Sequence, residues 1–520
     1  MVAGQPMDAH KVVVVGAGMG GLVSALLLAH AGLDVTVVEK GAHAGGKVRR
    51  LDAGGLAIDS GPTVLTMKPV FDAIFEAVGA RLGDHVRLKP ATILGRHEWP
   101  DGSMLDLFAD AERTADAIGE LAGAAEADGY RRFRARSAQV METLRGSFME
   151  EPEPGVGKLV AHAGIGGLKA LTRIRAFSTL WSVLGGYFRD PRLRQLFGRY
   201  ATYCGSSPFA APGPLMLVAA AEQQGVWLAE DGMSALPEAL AALAREEGAR
   251  FVFGTGVSRI IVGKGGVTGV LTEEGRTIPA TTVVFNGDPA ALSSGLLGEE
   301  ARGATPGWPA SQRSLSALTL SIAARTKGFP LVRHNVFFSG DYRREFDAIF
   351  AQGRLPDDPT IYVCAQDRTD HFHGTRPGGC ERLFMIVNAP ASGDGTPPGE
   401  REIETCTQRI MRRLAEAGLD IEIDPGALVT TGPREFNHLF PGTGGALYGR
   451  SSHGWMASFQ RPTATSRIPG LYLVGGATHP GPGLPMAALS GRHAARTILR
   501  HWASTAKFHT VAMPGGMSMH

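Results

Sequence analysis

From Lys11 the chain reads KVVVV and breaks at once into GAGMGG before continuing LVSALLLA. An unbroken β-branched run of this length, bounded by glycines, predicts a strand buried on both faces, and the Ala/Leu-rich stretch after it predicts a helix. The uncharged run over 12–29 is about as long as a bilayer span, but a glycine turn divides it, so neither a membrane span nor a targeting segment is expected. LDVTVVEK (33–40) repeats the strand pattern. Residues 232–289 carry a helical stretch, GMSALPEALAALAREEG, followed by short β-branched runs that end in TTVVF. LYLVGGATHPGPGLPMAALSGRHAA (471–495) is again an apolar strand, a Gly/Pro loop and a small-residue helix.

These patterns predict an α/β fold. A Rossmann-type domain would be assembled from residues 1–90, 228–298 and 425–505, interleaved with an α+β substrate or cap domain from 91–227 and 299–424. Residues 506–520 have little periodicity and are expected to form a flexible tail, as is Met1–His10.

Composition changes this picture little. With 520 residues and 44% hydrophobic content the chain can build more than one packed layer or domain. A net charge of +2 excludes bulk attraction to nucleic acid. The four cysteines, Cys204, Cys364, Cys380 and Cys406, show no CxxC spacing and suit reduced thiols in a cytoplasmic protein.

The chemistry begins at the first turn. Gly16, Gly18 and Gly21 make GxGxxG between strand and helix, with Ala17 inside the turn; glycine there permits a tight turn, close approach of a pyrophosphate, and close helix–strand packing. Glu39, with Lys40 beside it, ends the second strand about 20 residues on, where an acid can hydrogen-bond an adenosine ribose. The continuation GAHAGGKVRRL adds Gly45, Gly46 and Lys47, a second backbone segment and a point charge for phosphates, and this extension points to FAD rather than a nicotinamide. In IDSGPTVL (58–65) a Gly-Pro turn opens into Thr63 and Val64 and can bring backbone to the flavin ring. Gly256-Val257 can meet adenine through backbone, and Asn286, after VVF, reaches the level of the phosphate loops.

A dinucleotide as long as FAD outruns one βαβ unit, and the 471–495 loop is the expected partner for its flavin end. Gly475 and Gly476 form the strand's exit, Pro485–Met486 the helix start, and Met486 the residue set against the ring. A helix N-terminus there would stabilise negative charge on the reduced flavin. No cysteine lies in the segment, so a cysteinyl-flavin bond is excluded there and FAD is expected to be held noncovalently. His479 is read as a hydrogen-bonding loop residue rather than a covalent anchor or base.

Taken together, GAGMGG, Glu39, GGK, GTGV, VVFNGD and GGATHPGPGLPMAALSG resemble the carotenoid desaturases of bacterial phytoene desaturase type, relatives of the flavin amine oxidases, over nearly the whole chain. RYATYCGSSPFAAPG (199–213), VRHNVFFSGDYRREFDAIF (332–350), DDPTIYVCAQDR (357–368) and LFPGTGGALYGRSSHGW (439–455) look most like the hydroxycarotenoid 3,4-desaturases, also known as methoxyneurosporene dehydrogenases or hydroxyneurosporene desaturases. The resemblance implies an oxidoreductase that introduces a 3,4 double bond into acyclic 1-hydroxy- or 1-methoxycarotenoids by hydride transfer to FAD, in photosynthetic purple bacteria. Oxygen or a quinone would accept the electrons. It also implies FAD contacts at Glu39, Lys47, Thr63, Val64, Val257, Asn286, Gly476 and Met486, and at Leu447. A phytoene desaturase, a flavin-dependent carotenoid isomerase or saturase, an amine oxidase and a nonenzymatic FAD-binding scaffold stand as alternatives.

A carotenoid resides in lipid, so peripheral association with the cytoplasmic membrane is expected. Over 158–200, Lys158, Lys169, Arg173, Arg175, Arg189, Arg192, Arg194 and Arg199 face one acid, Asp190, among the apolar Phe177, Leu180, Trp181, Val183 and Leu184, a composition that suits contact with a bilayer surface or, alternatively, a basic cap-domain helix that packs its aromatics inward. Polyene delocalisation makes a strong catalytic base unnecessary, and no catalytic side chain is assigned. His334, His438, His453 and Asp341 are polar groups in the apolar cap segments, able to read a substrate oxygen or to play surface or structural roles. Asp370, His371 and His373 in DRTDHFHG lack the spacing of a metal site, so no metal is expected.

Overall fold

The computed structural model describes residues 10–155, 157, 175, 177–369 and 379–508. Strand Lys11–Val15 lies at the centre of a five-stranded parallel sheet in the order Arg250–Val252, Asp34–Val38, Lys11–Val15, Thr282–Phe285, Leu471–Leu473. Its valines alternate between two cores. Val12 and Val14 pack with Leu22, Leu26, Leu240 and Ala488 of the helices Met19–His30, Ala235–Glu246 and Leu484–Phe508, while Val13 packs with Ile260 and Val270 of a small antiparallel sheet on the opposite face. Burial on both faces is the reason for the continuous valine run.

The registers pair Val15 with Val38 and with Phe285, and Phe285 with Leu473. The strands therefore finish at one edge, and the loops that follow them (16–18, 39–47, 286–288 and 474–483) converge there. In open parallel sheets this carboxyl edge is where ligands bind.

A second, seven-stranded sheet runs Leu419–Thr431, Ser316–Gly328, Glu381–Ala389, Ile361–Ala365, His334–Phe337, Ile93–Glu98, Met104–Phe108, with only the His334–Phe337/Ile93–Glu98 pair parallel. The boundary expected at 425 falls inside its first strand, so residues 425–431 belong to this sheet, and the last strand of the parallel sheet is Leu471–Leu473. Helix Leu484–Phe508 continues past 505, so 506–508 are helical rather than part of a flexible tail; Met1–Ala9 and 509–520 lie outside the described residues.

Helices Ala124–Leu144 and Pro191–Gly198, with the turn before the latter, bring Phe133, Phe188 and Phe197 together at ring separations of 4.8–5.5 Å. This aromatic core corrects the bilayer-surface expectation for several residues: Leu180, Val183 and Leu184 are buried in it, Arg194 lies over the Trp181 ring at 4.8 Å, and Arg192 pairs with Asp190 at 2.7 Å. Lys158, Lys169, Arg173, Asp370, His371 and His373 lie outside the described residues. No helix among the described residues is long and apolar enough to cross a membrane, and all four cysteines are free.

Candidate active site

The glycine turn at the carboxyl edge is packed so closely that side chains are excluded. Gly16 has φ +98°, in the left-handed region that favours glycine, and a Cβ on Gly21 would come within 2.2 Å of the Gly16 carbonyl oxygen. Gly46 also has positive φ, and a Cβ there would meet the Gly18 Cα at 3.1 Å, while Gly18 and Gly45 form a parallel bridge. Two glycine loops thus lie side by side. Asn286 sits against both Gly16 and Gly18, and its Nδ2 donates to the Gly16 carbonyl at 3.3 Å. Helix Met19–His30 begins directly after this turn with no acid in its first turn, so its N-terminal dipole is uncompensated and suits an anion.

Glu39 is fixed by backbone. Its Oε2 accepts from Ala17 N and its Oε1 from Gly41 N, each at 2.7 Å, which pins the acid at the head of the turn with lone pairs left for a ligand hydroxyl. Lys47 reaches over to donate to the Leu447 carbonyl and lies 5.2 Å from the Phe440 ring centroid. Burial lowers its ammonium to about 8, against the pull of Asp288 and with a smaller push in the same direction from Arg461. A cation weakened by desolvation gains from an incoming phosphate or a negatively charged ring.

At the other end, loop 474–483 leads into helix Leu484–Phe508, which starts at Leu484, one residue before the expected Pro485. Gly476, Met486, Thr63 and Val64 line one cavity with the glycine turn, Glu39, Lys40, Gly46, Lys47, Val257, Asn286 and Leu447. Ala17 and Gly21 lie behind that lining: Ala17 contributes its N–H to Glu39, and Gly21 makes room for the turn. The cavity volume is about 1620 Å³. A single-ligand pocket typically has roughly 300–1,000 Å³, so this one is large enough for a dinucleotide and a second long molecule. Paired glycine loops, an anion-seeking helix end, an acid pinned by two main-chain N–H groups and a buried cation fit FAD.

The family described as flavin-containing amine oxidoreductases matches the chain over residues 19–499. A protein named hydroxyneurosporene desaturase from Rubrivivax gelatinosus is 51% identical, the match covering 99% of this chain and 98% of that protein. The chain belongs to the carotenoid desaturases of the flavin-containing amine oxidoreductase family. A second hydroxyneurosporene desaturase, from Cereibacter sphaeroides, is 47% identical over 96% of this chain and 99% of that one. A 1-hydroxycarotenoid 3,4-desaturase from a Flavobacterium species is 31% identical over 94% and 99%. Among solved structures, cyclohexylamine oxidase from Brevibacterium oxydans aligns with a TM-score of 0.56 at 16% identity, covering 95% of this chain and 100% of that one, which shows a shared fold. This desaturase is therefore an oxidoreductase, and FAD is its cofactor.

The remainder of the desaturase cavity is mostly apolar. Leu94, Leu144, Phe148, Met149, Leu217 and Phe459 line it. Phe148 and Met149 sit on a π-turn at Arg145–Met149, and two buried histidines hold that turn from behind: His479 Nε2 meets the Glu151 carbonyl and His493 Nε2 the Met149 carbonyl, each at 2.9 Å. Their rings stack at 6.0 Å, and burial brings both down to about 4, so they are neutral donors at physiological pH. His479 thus points away from the cavity, as a structural clamp.

Of the four polar candidates in the cap segments, His334 reaches the cavity beside Tyr362, and burial followed by the charges of Arg333 and Arg199 brings it down to about 3. His438 also lines it, and Lys40 donates to its carbonyl at 3.0 Å. His453 instead accepts from Ser207 N at 3.0 Å, and Asp341 caps helix Tyr342–Phe350. Arg199, expected at a bilayer surface, lines the cavity with Tyr203. Sequence reasoning missed Phe148, Met149, Tyr203 and Tyr362 as lining residues. Only their aromatic or flexible apolar character marked them, and most residues of that kind belong to an ordinary core.

Proposed function

We propose that this enzyme introduces the C3–C4 double bond into acyclic carotenoids that carry a hydroxy or methoxy group at C1. The observation that carries the reading is 51% identity, over 99% of the chain, to a hydroxyneurosporene desaturase, with the 1-hydroxycarotenoid 3,4-desaturase likeness naming the bond. A cavity that joins the dinucleotide cradle to a long apolar wall supports it.

When bound, FAD supplies the two-electron acceptor for a hydride leaving an allylic carbon. The protein's own part is alignment and exclusion of water. Leu144, Phe148 and Met149 press on the polyene, and the loops at Thr63 and Gly476 set the plane against which it lies. The proton lost from the neighbouring carbon needs no strong base, because positive charge spreads along the polyene. His334, a neutral ring tied to Tyr362, is not asked to take it. Turnover then requires an external acceptor, oxygen or a quinone.

Substrate is collected from a membrane surface to which the enzyme binds peripherally. Phe177 (61% exposed) and Trp455 (39% exposed) stand edge to face at 5.1 Å, Trp455 also lines the cavity, and Arg175 is exposed nearby in the chain. Exposed aromatics beside a cation suit the interface between headgroups and acyl chains.

The test is anaerobic mixing of FAD-loaded enzyme with liposomes carrying 1-hydroxyneurosporene or phytoene, followed by flavin absorbance and pigment extraction. Flavin bleaching by the hydroxylated carotenoid, with one double bond added to it, is expected. Bleaching by phytoene alone would assign the enzyme to phytoene desaturation, and bleaching by neither would overturn both readings.

A further inference from the structure

Polar side chains gather at one place on the otherwise apolar wall. The Tyr362 hydroxyl lies 2.6 Å from Thr63 Oγ1 and 2.8 Å from His334 Nδ1. Over the Tyr362 ring, 5.4 Å from its centroid, sits the Arg199 guanidinium, which also lies 5.2 Å from the Tyr203 centroid and donates from Nη1 to the Tyr203 hydroxyl at 2.9 Å. Thr63, Arg199, Tyr203, His334 and Tyr362 all line the cavity. The acid in the neighbourhood, Glu222, also lines the cavity, takes the Tyr200 hydroxyl at 2.6 Å and a contact from the Tyr203 hydroxyl, and feels the Arg199 charge from beyond ion-pair distance. Among the described residues Arg199 has no carboxylate within 4.0 Å.

A guanidinium carries five N–H donors in a planar fork, and Tyr203 takes one of them. Arg199 lines a cavity whose natural occupant is a hydrocarbon, and a guanidinium with donors to spare gains there from an occupant that supplies an oxygen. A hydroxyl and a methoxy oxygen share one ability, that of accepting a hydrogen bond, and a donor-only residue serves either.

Position gives the second argument. In a C1-oxygenated acyclic carotenoid the oxygen is separated from C3 by two carbons, so it lies within about 4 Å of the bond to be desaturated. Whatever reads that oxygen must stand beside the flavin end of the site. Thr63 ties Tyr362 to the loop that, with Gly476 and Met486, forms that end of the cavity.

We propose that Arg199 donates the hydrogen bond that holds the C1 oxygen, with the Tyr362 hydroxyl as second contact, and that this pair selects oxygenated over hydrocarbon chain ends. Thr63 and His334 are positioning residues that orient the Tyr362 hydroxyl. The proposal rests on the reading above that the substrates carry oxygen at C1. A hydrocarbon end in the same place would strip water from the guanidinium and return no acceptor, and a site built this way rejects the analogue that lacks the polar atom.

The experiment compares 1-hydroxyneurosporene with 1,2-dihydroneurosporene, the same saturated chain end without the oxygen, in wild type, Arg199→Met, Arg199→Lys and Tyr362→Phe, all FAD-loaded. Binding is read from the shift of the carotenoid band with dithionite-reduced holoenzyme, which cannot desaturate, and turnover from the kcat/KM ratio with oxidised enzyme. The preference for the hydroxylated chain is expected to fall about 10- to 100-fold in Arg199→Met, less in Arg199→Lys, and up to about tenfold in Tyr362→Phe. An unshifted flavin spectrum reports an intact site; if Arg199→Met does not hold FAD, the other two variants decide. Equal binding of both chains by wild type, or a preference unchanged in the variants, overturns the proposal. Wild type that binds the hydroxylated chain preferentially but is not reduced by it keeps the oxygen-reading site and removes the desaturation reading. Reduction by the hydroxylated chain with an unchanged preference does the reverse.

Discussion

The two ends of the cavity are built by different means. The end proposed for the nucleotide is mainly backbone: Gly16, Gly18, Gly21, Gly45 and Gly46 are packed within contact distance of one another or of neighbouring main chain, and Glu39 is held by two main-chain N–H groups. The substrate end is side chain: Phe148, Met149, Arg199, Tyr203, His334 and Tyr362 arrive from separate segments of the chain. A backbone cradle fails when any atom is added to it. A side-chain wall changes its shape and polarity and goes on existing.

The largest effect should therefore come from a single added side chain at the nucleotide end. Gly21→Val would push carbon into the Gly16 carbonyl, which a Cβ already approaches to 2.2 Å, and protein purified with almost no bound flavin is expected from absorbance per chain. Phe148→Leu at the substrate end should keep its full complement of FAD and lower carotenoid kcat/KM by about tenfold, the scale of a small loss of apolar contact in a hydrophobic pocket. A Gly21→Val enzyme that keeps FAD, or a Phe148→Leu enzyme that loses it, breaks the comparison.

Charge sharpens it next. Lys47 is depressed to about 8 by burial, so in the apoprotein it begins to lose its proton above that pH, whereas a bound diphosphate would favour the charged form. FAD affinity is expected to hold steady below pH 8 and to weaken above it, by up to about tenfold per pH unit. For the folding equilibrium the sign is opposite: the unfolded chain binds the extra proton between about 8 and the ordinary lysine value, so the Lys47 contribution to apoprotein stability rises with pH across that window. Lys47→Met should flatten both curves, as read by FAD titration and by urea unfolding. A pH-independent affinity in wild type would remove Lys47 from the phosphate end.

The same contrast explains what could be read in the sequence. A cradle of glycines needs fixed spacing inside one strand–turn–helix unit, so GAGMGG, Glu39 and GGK announced the parallel sheet and its dinucleotide in contiguous residues. The cavity wall needs only size and polarity, and these arrive from strands that can pair across hundreds of residues, such as His334–Phe337 with Ile93–Glu98. Arg199 shows the limit well. In a list of basic residues it is one more cation in a cluster, and only the fold turns it inward over Tyr362. The boundary at 425 failed for a related reason, since the alternation in Leu419–Thr431 does not say to which sheet the strand belongs.

Behind the wall the histidine clamp predicts a smaller change. His493→Leu removes the donor to the Met149 carbonyl, which is buried, and should cost about 1–3 kcal/mol of stability in urea unfolding of the holoenzyme. Because the clamp holds the π-turn that carries Phe148 and Met149, the carotenoid KM should rise while flavin content per chain stays full. Loss of flavin in this variant would mean that the two ends are coupled through helix Leu484–Phe508, which carries both Met486 and His493.

The smallest effect belongs to the exposed aromatic pair. Phe177 and Trp455 touch each other at 5.1 Å and contribute little to any core, so Phe177→Ser with Trp455→Ser should leave folding stability within about 0.5 kcal/mol, as for other surface substitutions. Their value would lie in the apolar area they insert at a bilayer surface, and co-sedimentation with anionic liposomes is expected to drop several-fold. The drop should persist at high salt, because aromatic insertion, unlike attraction of Arg175 and Arg189 to lipid phosphates, is not screened by ions. If binding is instead abolished by salt and indifferent to the aromatic pair, the membrane is met by charge alone, and the route by which carotenoid reaches Trp455 and the cavity behind it must begin elsewhere.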